Sequence, residues 1–554
     1  MSLLLTDAAA QMTTAYPPGD TMSQKSWQNA ELRRIPLVYR NDGFSQFFVK
    51  PPMTRERLEK ELVNPFQGTN VQILEWGLGP GGVFCYDTKV GQIFGAGLTD
   101  EQWKLFRPGD RWVYENVTGL IKAGADPLRA AVQRGHQIGL KVFARLEMNH
   151  EYGPADDKNW MWLGFVGDLN KKHPEYRIPG RVDLDFKHKE VRDFKLAIFR
   201  EACQTGVDGI SMDFVVYPPF FDKPDKQIMT QFIREARRML DAGDRASAGR
   251  QGRPQNRRLE LMVRVPYREA LELGLDWPTW MNERLVDIVV PSHRGSGQPF
   301  DIVGDDFVAL GRRTGCKVYA CIWHSLGFVT TDSEPGDEKT GVRRYDKPKT
   351  KEMFYAQAML FNRAGADGIQ LAMSAAEWNS RPWMNDLADP GKIEFADKHY
   401  MVDPYPHMPV SLTDTANSRE VPLRIADGIP KAQRERRDVE VSVLFYSRPL
   451  QKGETLALYV NGHGPATISG DSPEEPAKQA PIDRSKVLDK SFLFNADWWK
   501  RGEHKVPVDP AWWRCGINTI RLVYSAQSSK ASAPFSVRWI DVLIKYRNAA
   551  GQPH

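Results

Sequence analysis

From about Ile35 to Val402 short apolar runs alternate with longer amphipathic ones, and this alternation constrains the chain more than any other feature. Strand followed by helix, repeated many times, means a parallel sheet. Eight strand candidates can be marked: Pro36–Arg40, Asn70–Trp76, Leu140–Glu147, Val207–Phe214, Leu259–Val265, Val286–Ser292, Lys317–Trp323 and Ala366–Met373. The clearest intervening helix is Lys189 to Gln204, where Val191, Phe194, Ile198 and Cys203 recur near helical spacing and Gly206 follows as a stop. Eight strands with eight crossovers close into an α/β fold, a (β/α)8 TIM barrel. A doubly wound open sheet is the alternative, but it would carry a Gly-rich phosphate turn after its first strand, and Tyr39-Arg40-Asn41-Asp42-Gly43 is not one.

Beyond a stretch rich in Pro and polar residues the pattern changes to period two, as in Val439–Val443, Leu456–Val460 and Ile520–Tyr524, punctuated by Asn461-Gly462 and Gly516-Ile517-Asn518. That is the signature of a C-terminal antiparallel β-sandwich. The expected organisation is an N-terminal extension (1–34), the barrel (35–402), a linker (403–433) and the sandwich (434–549).

At 554 residues the chain is too long for one compact core, which suits a large barrel with one accessory unit. Its 75 basic and 70 acidic residues form no dominant basic stripe, so no nucleic-acid partner is expected; the dense stretch Arg245–Arg258 reads as a solvated loop. No run of 18 apolar residues exists, so no membrane span is expected. The five cysteines make no CxxC pair, and no metal and no cofactor are expected. Met1–Gln11, with a short apolar patch but no basic leader, reads as the remnant of a trimmed signal, hence a secreted or periplasmic protein; oligomeric state is left open.

In a barrel the loops after the strands crown the C-terminal face, where active sites are built. The longest follow the second strand (to about Asp110), the third (His150 to Arg181) and the seventh (Ser325 to Lys347). The most pointed segment is Val207-Asp208-Gly209-Ile210-Ser211-Met212-Asp213-Phe214-Val215-Val216-Tyr217-Pro218, whose fourth strand ends on Asp213 at the barrel mouth.

This segment resembles the glycosyl-hydrolase-like, family-10-like barrel proteins of bacteria, whose fourth strand reads DGIxxDxxRYP. His173-Pro174-Glu175, Val182–Phe186 and Glu190–Asp193 agree with that family's approach to the same strand, and the resemblance covers essentially the barrel. One departure is Val216, where the family commonly carries Arg before Tyr-Pro. Chitinases, with DGxDxDxE, are less similar, because Val215 stands where their acid would be.

The resemblance implies a glycoside hydrolase acting on a polysaccharide or oligosaccharide, and that chemistry ordinarily uses two carboxyl groups. Asp213 is expected as nucleophile or charge stabiliser and Glu147, closing the third strand, as acid/base, with a retaining outcome. Strand alternation places Arg145, Glu147 and Asn149 on one face. Glu75 beside Trp76, and Glu377 past the eighth strand, are rivals for the second carboxylate. His150, Tyr217, Arg264, His293, Trp323 and His324 complete the expected substrate-binding set, joined at strand ends by Asp42 and Ser292; such a cleft suits a polyhydroxylated ligand, an anionic one included. Two alternatives stand: a barrel that binds glycans without cleaving them, and a metal-dependent hydrolase or deacetylase using His150, His293 and His324, against which stands the lack of an HxH or HExxH pair. Trp498, Trp499, Trp512, Trp513 and Trp539 in the sandwich are either packing residues or an accessory sugar surface.

Overall fold

The computed structural model describes residues 27–216, 218–247, 258–293, 300, 304–330, 343–372, 375–402, 410–413, 416–435, 437–447, 450–470, 503–526 and 535–547. Eight strands, β1 (Leu37–Arg40), β2 (Val71–Gly77), β3 (Lys141–Glu147), β4 (Gly209–Asp213), β5 (Glu260–Pro266), β6 (Ile288–Ser292), β7 (Lys317–Trp323) and β8 (Gly368–Ala372), are the eight expected segments trimmed by a residue or two. They pair in parallel around a closed ring, β8 returning to β1. Every strand is buried on both faces, which is why each reads as a near-continuous apolar run.

Helices fill the crossovers, including α1 (Pro108–Lys122) and α2 (Pro127–Gln137) before β3, α3 (Lys189–Cys203) before β4, α4 (Lys226–Ser247) before β5, α5 (Asp305–Thr314) before β7 and α6 (Lys351–Ala364) before β8. The expected Lys189 helix is α3, ended by Gly206 at φ +98°. The long loops carry structure of their own. After β7, Ser325–Thr330 and Arg343–Pro348 form an antiparallel hairpin. Behind β1, β2 and β3, Phe44, Phe94 and Phe165 meet with ring centroids 4.8 to 5.0 Å apart and fasten three loops together above one side of the barrel.

The barrel interior is apolar below and charged above. Val38, Ile73, Phe143, Met262, Ile288, Val290 and Tyr319 form an inner cluster separate from the shell between strands and helices. Toward the C-terminal ends the same inward positions become Arg40, Glu75, Arg145, Glu147, Asp213 and Arg264. At this end β1 and β2 approach at a distance only glycine allows: a Cβ on Gly77 would lie 2.5 Å from the Asp42 carbonyl carbon, and Gly43 turns away at φ +79°.

The sandwich consists of one sheet in which Lys398–Met401, Phe535–Arg547, Asp438–Ser447 and Glu503–Val508 lie side by side in that order, with Val410–Leu412 also on Phe535–Arg547. The second sheet runs Ser418–Ile425, Gly516–Ala526, Glu454–Val460 and His463–Ser469.

 

The stretch expected as a linker therefore carries sheet: Val410–Leu412 and Ser418–Ile425 pair into the two layers, and Lys398–Met401, expected inside the barrel segment, pairs with Phe535–Arg547. Their partners lie 91 to 146 residues away, so no local alternation announced them. The layers seat on the barrel through apolar packing continuous with its shell, through Arg363 of α6 donating to the Ala426 carbonyl, and through an Arg424–Asp305 pair at 3.0 Å. Trp513 and Trp539 are core residues, while Trp512 is half-buried and stacks on His463. Trp498 and Trp499 lie outside the described residues.

Candidate active site

Parallel register decides which inward side chains become neighbours. Glu147 stands opposite Asp213, Asp213 opposite Arg264, and Arg40 opposite Glu75. Strands so paired lie about 5 Å apart, within reach of charged side chains pointing the same way. The result is an ion cluster at the C-terminal mouth. Arg40 donates from one nitrogen, Nη2, to Asp213 at 2.9 Å and to Glu147 at 3.0 Å. Arg264 donates to Asp213 at 3.0 Å and to Ser292 Oγ at 2.7 Å. Arg145 donates to Glu147 at 2.8 Å and to the Asn41 carbonyl at 2.8 Å, and its guanidinium lies 3.6 Å from Asp213.

The two carboxylates differ in access. The Asp213 side chain is 0% exposed and enclosed by three guanidiniums, whereas Glu147 keeps 13% and touches the His150 imidazole with its second oxygen. Burial alone would raise the Asp213 carboxyl, but Arg264, Arg40 and Arg145 outweigh it and hold it below its ordinary value. Burial likewise opposes ionisation of Glu147, yet His150, Arg145 and Arg40 hold that carboxyl well below the ordinary range. Both are anions at neutral pH. Glu75 lies deeper, with no exposure, and accepts from Ser211 and Gln370; burial raises its carboxyl.

Around the mouth, Trp323 lies half-buried, with the Arg40 and Arg264 guanidiniums each 5.6 Å from its ring centroid, and His324 lies 5.2 Å beyond. His293 follows Ser292, partly exposed. Lys349, next to the hairpin, donates its backbone N–H to the His324 carbonyl at 3.1 Å; burial depresses its ammonium to about 7.

The structure thus brings together Asp213, Glu147, Arg145, His150, Arg264, Trp323 and His324, and sets three expected residues elsewhere. Trp76 points away from the barrel interior into the shell, with its ring 6.3 Å from Phe47, because it is one strand position out of phase with Glu75. Glu75 itself is sealed beneath the ion cluster. Asn149 is fully buried and spent on backbone: its amide donates to the Leu184 and Pro219 carbonyls at 3.0 and 2.7 Å and accepts from the Leu184 N–H at 3.0 Å. These three are not surfaces for a ligand. Tyr217 lies outside the described residues, as does the side chain of Glu377, which belongs to the helix Ala375–Ser380.

Asn149 ties the loop after β3 to the one after β4. Asn149→Ala is expected to cost about 2 kcal/mol, the penalty for leaving buried backbone groups unpaired, as a lower urea midpoint at unchanged slope.

Sequence reasoning missed Arg40, Ser211, Gln370 and Cys321, whose sulfur lies 3.8 Å from Arg264 Nη2. Period two was the available signal: Ser211 shares a face with Asp213, Cys321 with Trp323, and Arg40 closes β1. Among the described residues no group of three or more His, Cys, Asp or Glu is placed to hold a metal ion, the five cysteines are free thiols, and no helix is long and apolar enough to cross a membrane.

Fold and site together define a TIM barrel with a C-terminal β-sandwich and a charged cluster at the barrel mouth. No family model and no curated protein matches the chain. Among solved structures it is similar to a cycloisomaltooligosaccharide glucanotransferase from Paenibacillus sp. (10% identity, TM-score 0.32, 91% of this chain and 57% of that one). It is also similar to a multi-modular cell-surface chitinase from Paenibacillus sp. str. FPU-7 (11%, TM-score 0.37, 91% and 56%) and to a class V chitinase from Cycas revoluta (12%, TM-score 0.35, 64% and 98%). The chain spans little more than half the length of the first two.

Proposed function

We propose that the chain is a glycoside hydrolase whose reacting carboxylate is Glu147. The observation that carries this reading is the presentation of Glu147 at the mouth: partly exposed, ionised, held by Arg40 and Arg145 on one oxygen and in contact with His150 on the other. An anionic carboxylate suits a nucleophile; a general acid needs a raised one. The roles expected from the sequence are therefore redistributed. Glu147 attacks the anomeric carbon as the glycosidic C–O bond breaks and the departing oxygen takes a proton from solvent, His150 contacts the second Glu147 oxygen, and Asp213, which no substrate reaches, positions the three arginines.

Retention of configuration belongs to this proposal as the outcome of a covalent glycosyl intermediate. Trp323 and His324 offer ring faces for a sugar, and the fourth-strand resemblance to glycosyl-hydrolase-like barrels supports the same class. The test is a glycan panel digested by wild type, with the first-formed anomer followed by NMR. Release of reducing ends with the anomeric configuration kept is expected; inversion removes Glu147 as nucleophile, and no cleavage across the panel leaves a binding barrel.

A further inference from the structure

Three guanidiniums at the mouth face two ionised carboxylates, Asp213 and Glu147, while the third carboxyl, Glu75, lies beneath and is bonded to Ser211 and Gln370. The donors are not spent either. Both side-chain bonds of Arg40 leave from Nη2, and the buried Nε atoms of Arg40, Arg145 and Arg264 make no hydrogen bond. Arg40 carries the consequence: burial and then the charge of Arg145 disfavour its protonated form, and with Arg264 adding to the repulsion they outweigh the pull of Asp213 and Glu147. Three buried guanidiniums against two ionised carboxylates leave an excess of positive charge, which is costly unless a further negative charge balances it.

We propose that the sugar taken by this site carries an anionic group, a carboxylate or a sulfate, docked against Arg40 at the rim beside Glu147 and Trp323. The inference rests on the glycosidase reading and adds the substrate class to it. Arginine recognises planar oxyanions through several N–H groups at once, and Arg40 and Arg264 are already oriented by the Trp323 ring beneath which they converge.

The experiment uses matched pairs. A polyuronate is compared with the same polymer after its carboxylates are reduced to alcohols, and a sulfated glycan with its desulfated form. At least tenfold higher kcat/KM on the charged member of one pair is expected, and which pair responds says whether carboxylate or sulfate is read. Arg40→Lys, which keeps the charge and removes the guanidinium donors, is expected to cut that preference several-fold, with KM rising more than kcat falls. Equal or faster turnover of the neutral members overturns the inference while leaving the glycosidase reading intact. Cleavage of no member overturns both.

Discussion

Asp213→Ala is expected to lower the unfolding free energy by about 3–5 kcal/mol, the cost of removing one partner from a buried ion cluster. The reason is specific to what remains. Arg40 and Arg264 both lose a carboxylate oxygen at 2.9 and 3.0 Å, Arg145 loses its more distant one, and neither Arg145 nor Arg264 can turn to water from 2–3% side-chain exposure. Asp213→Asn restores the shape without the charge and is expected to recover only part of the loss.

The acid limb gives a second readout. Because the folded pKa of Asp213 lies below its unfolded value of about 3.9, its contribution is complete above that pH. It is lost as pH falls through the folded value. Wild type and Asp213→Ala should therefore converge in stability below pH 4, as read by chemical denaturation. A constant gap down to pH 2 would mean that the side chain acts by packing alone.

Glu147→Gln is expected to lower kcat by on the order of 10³-fold or more on any substrate the wild type cleaves, with the fold kept. Gln keeps the volume and can still accept from Arg40 and Arg145, and Glu147 is the more exposed of the two carboxylates. What Gln cannot do is attack an anomeric carbon. Because burial is outweighed by His150, Arg145 and Arg40, the Glu147 carboxyl ionises well below its ordinary value. The acid side of the wild-type kcat/KM profile should consequently stay flat from neutrality to below pH 4.5. Unchanged turnover in the Gln variant, in a protein of native stability, would remove the nucleophile assignment.

Much of the architecture was legible because it is written in patterns of one or two periods. All eight barrel strands and the Lys189 helix follow from alternation and from residues such as Gly206 that stop a helix. The charged ends of β3, β4 and β5 were legible too, since Glu147, Asp213 and Arg264 interrupt apolar runs where a mouth belongs. Trp76 shows the limit: next to Glu75 in sequence, it faces the opposite way. Asn149 shows another, for its partners at Leu184 and Pro219 lie 35 and 70 residues away.

By itself, the sequence determined a ring of apolar strands and the carboxylates and guanidiniums that cap it, because burial and strand period act locally. Only the tertiary structure decided that Arg40, Arg145 and Arg264 enclose Asp213 and leave Glu147 partly exposed at the mouth. That choice depends on the parallel register between strands tens of residues apart, and a register is set by closure of the whole barrel rather than by any one segment.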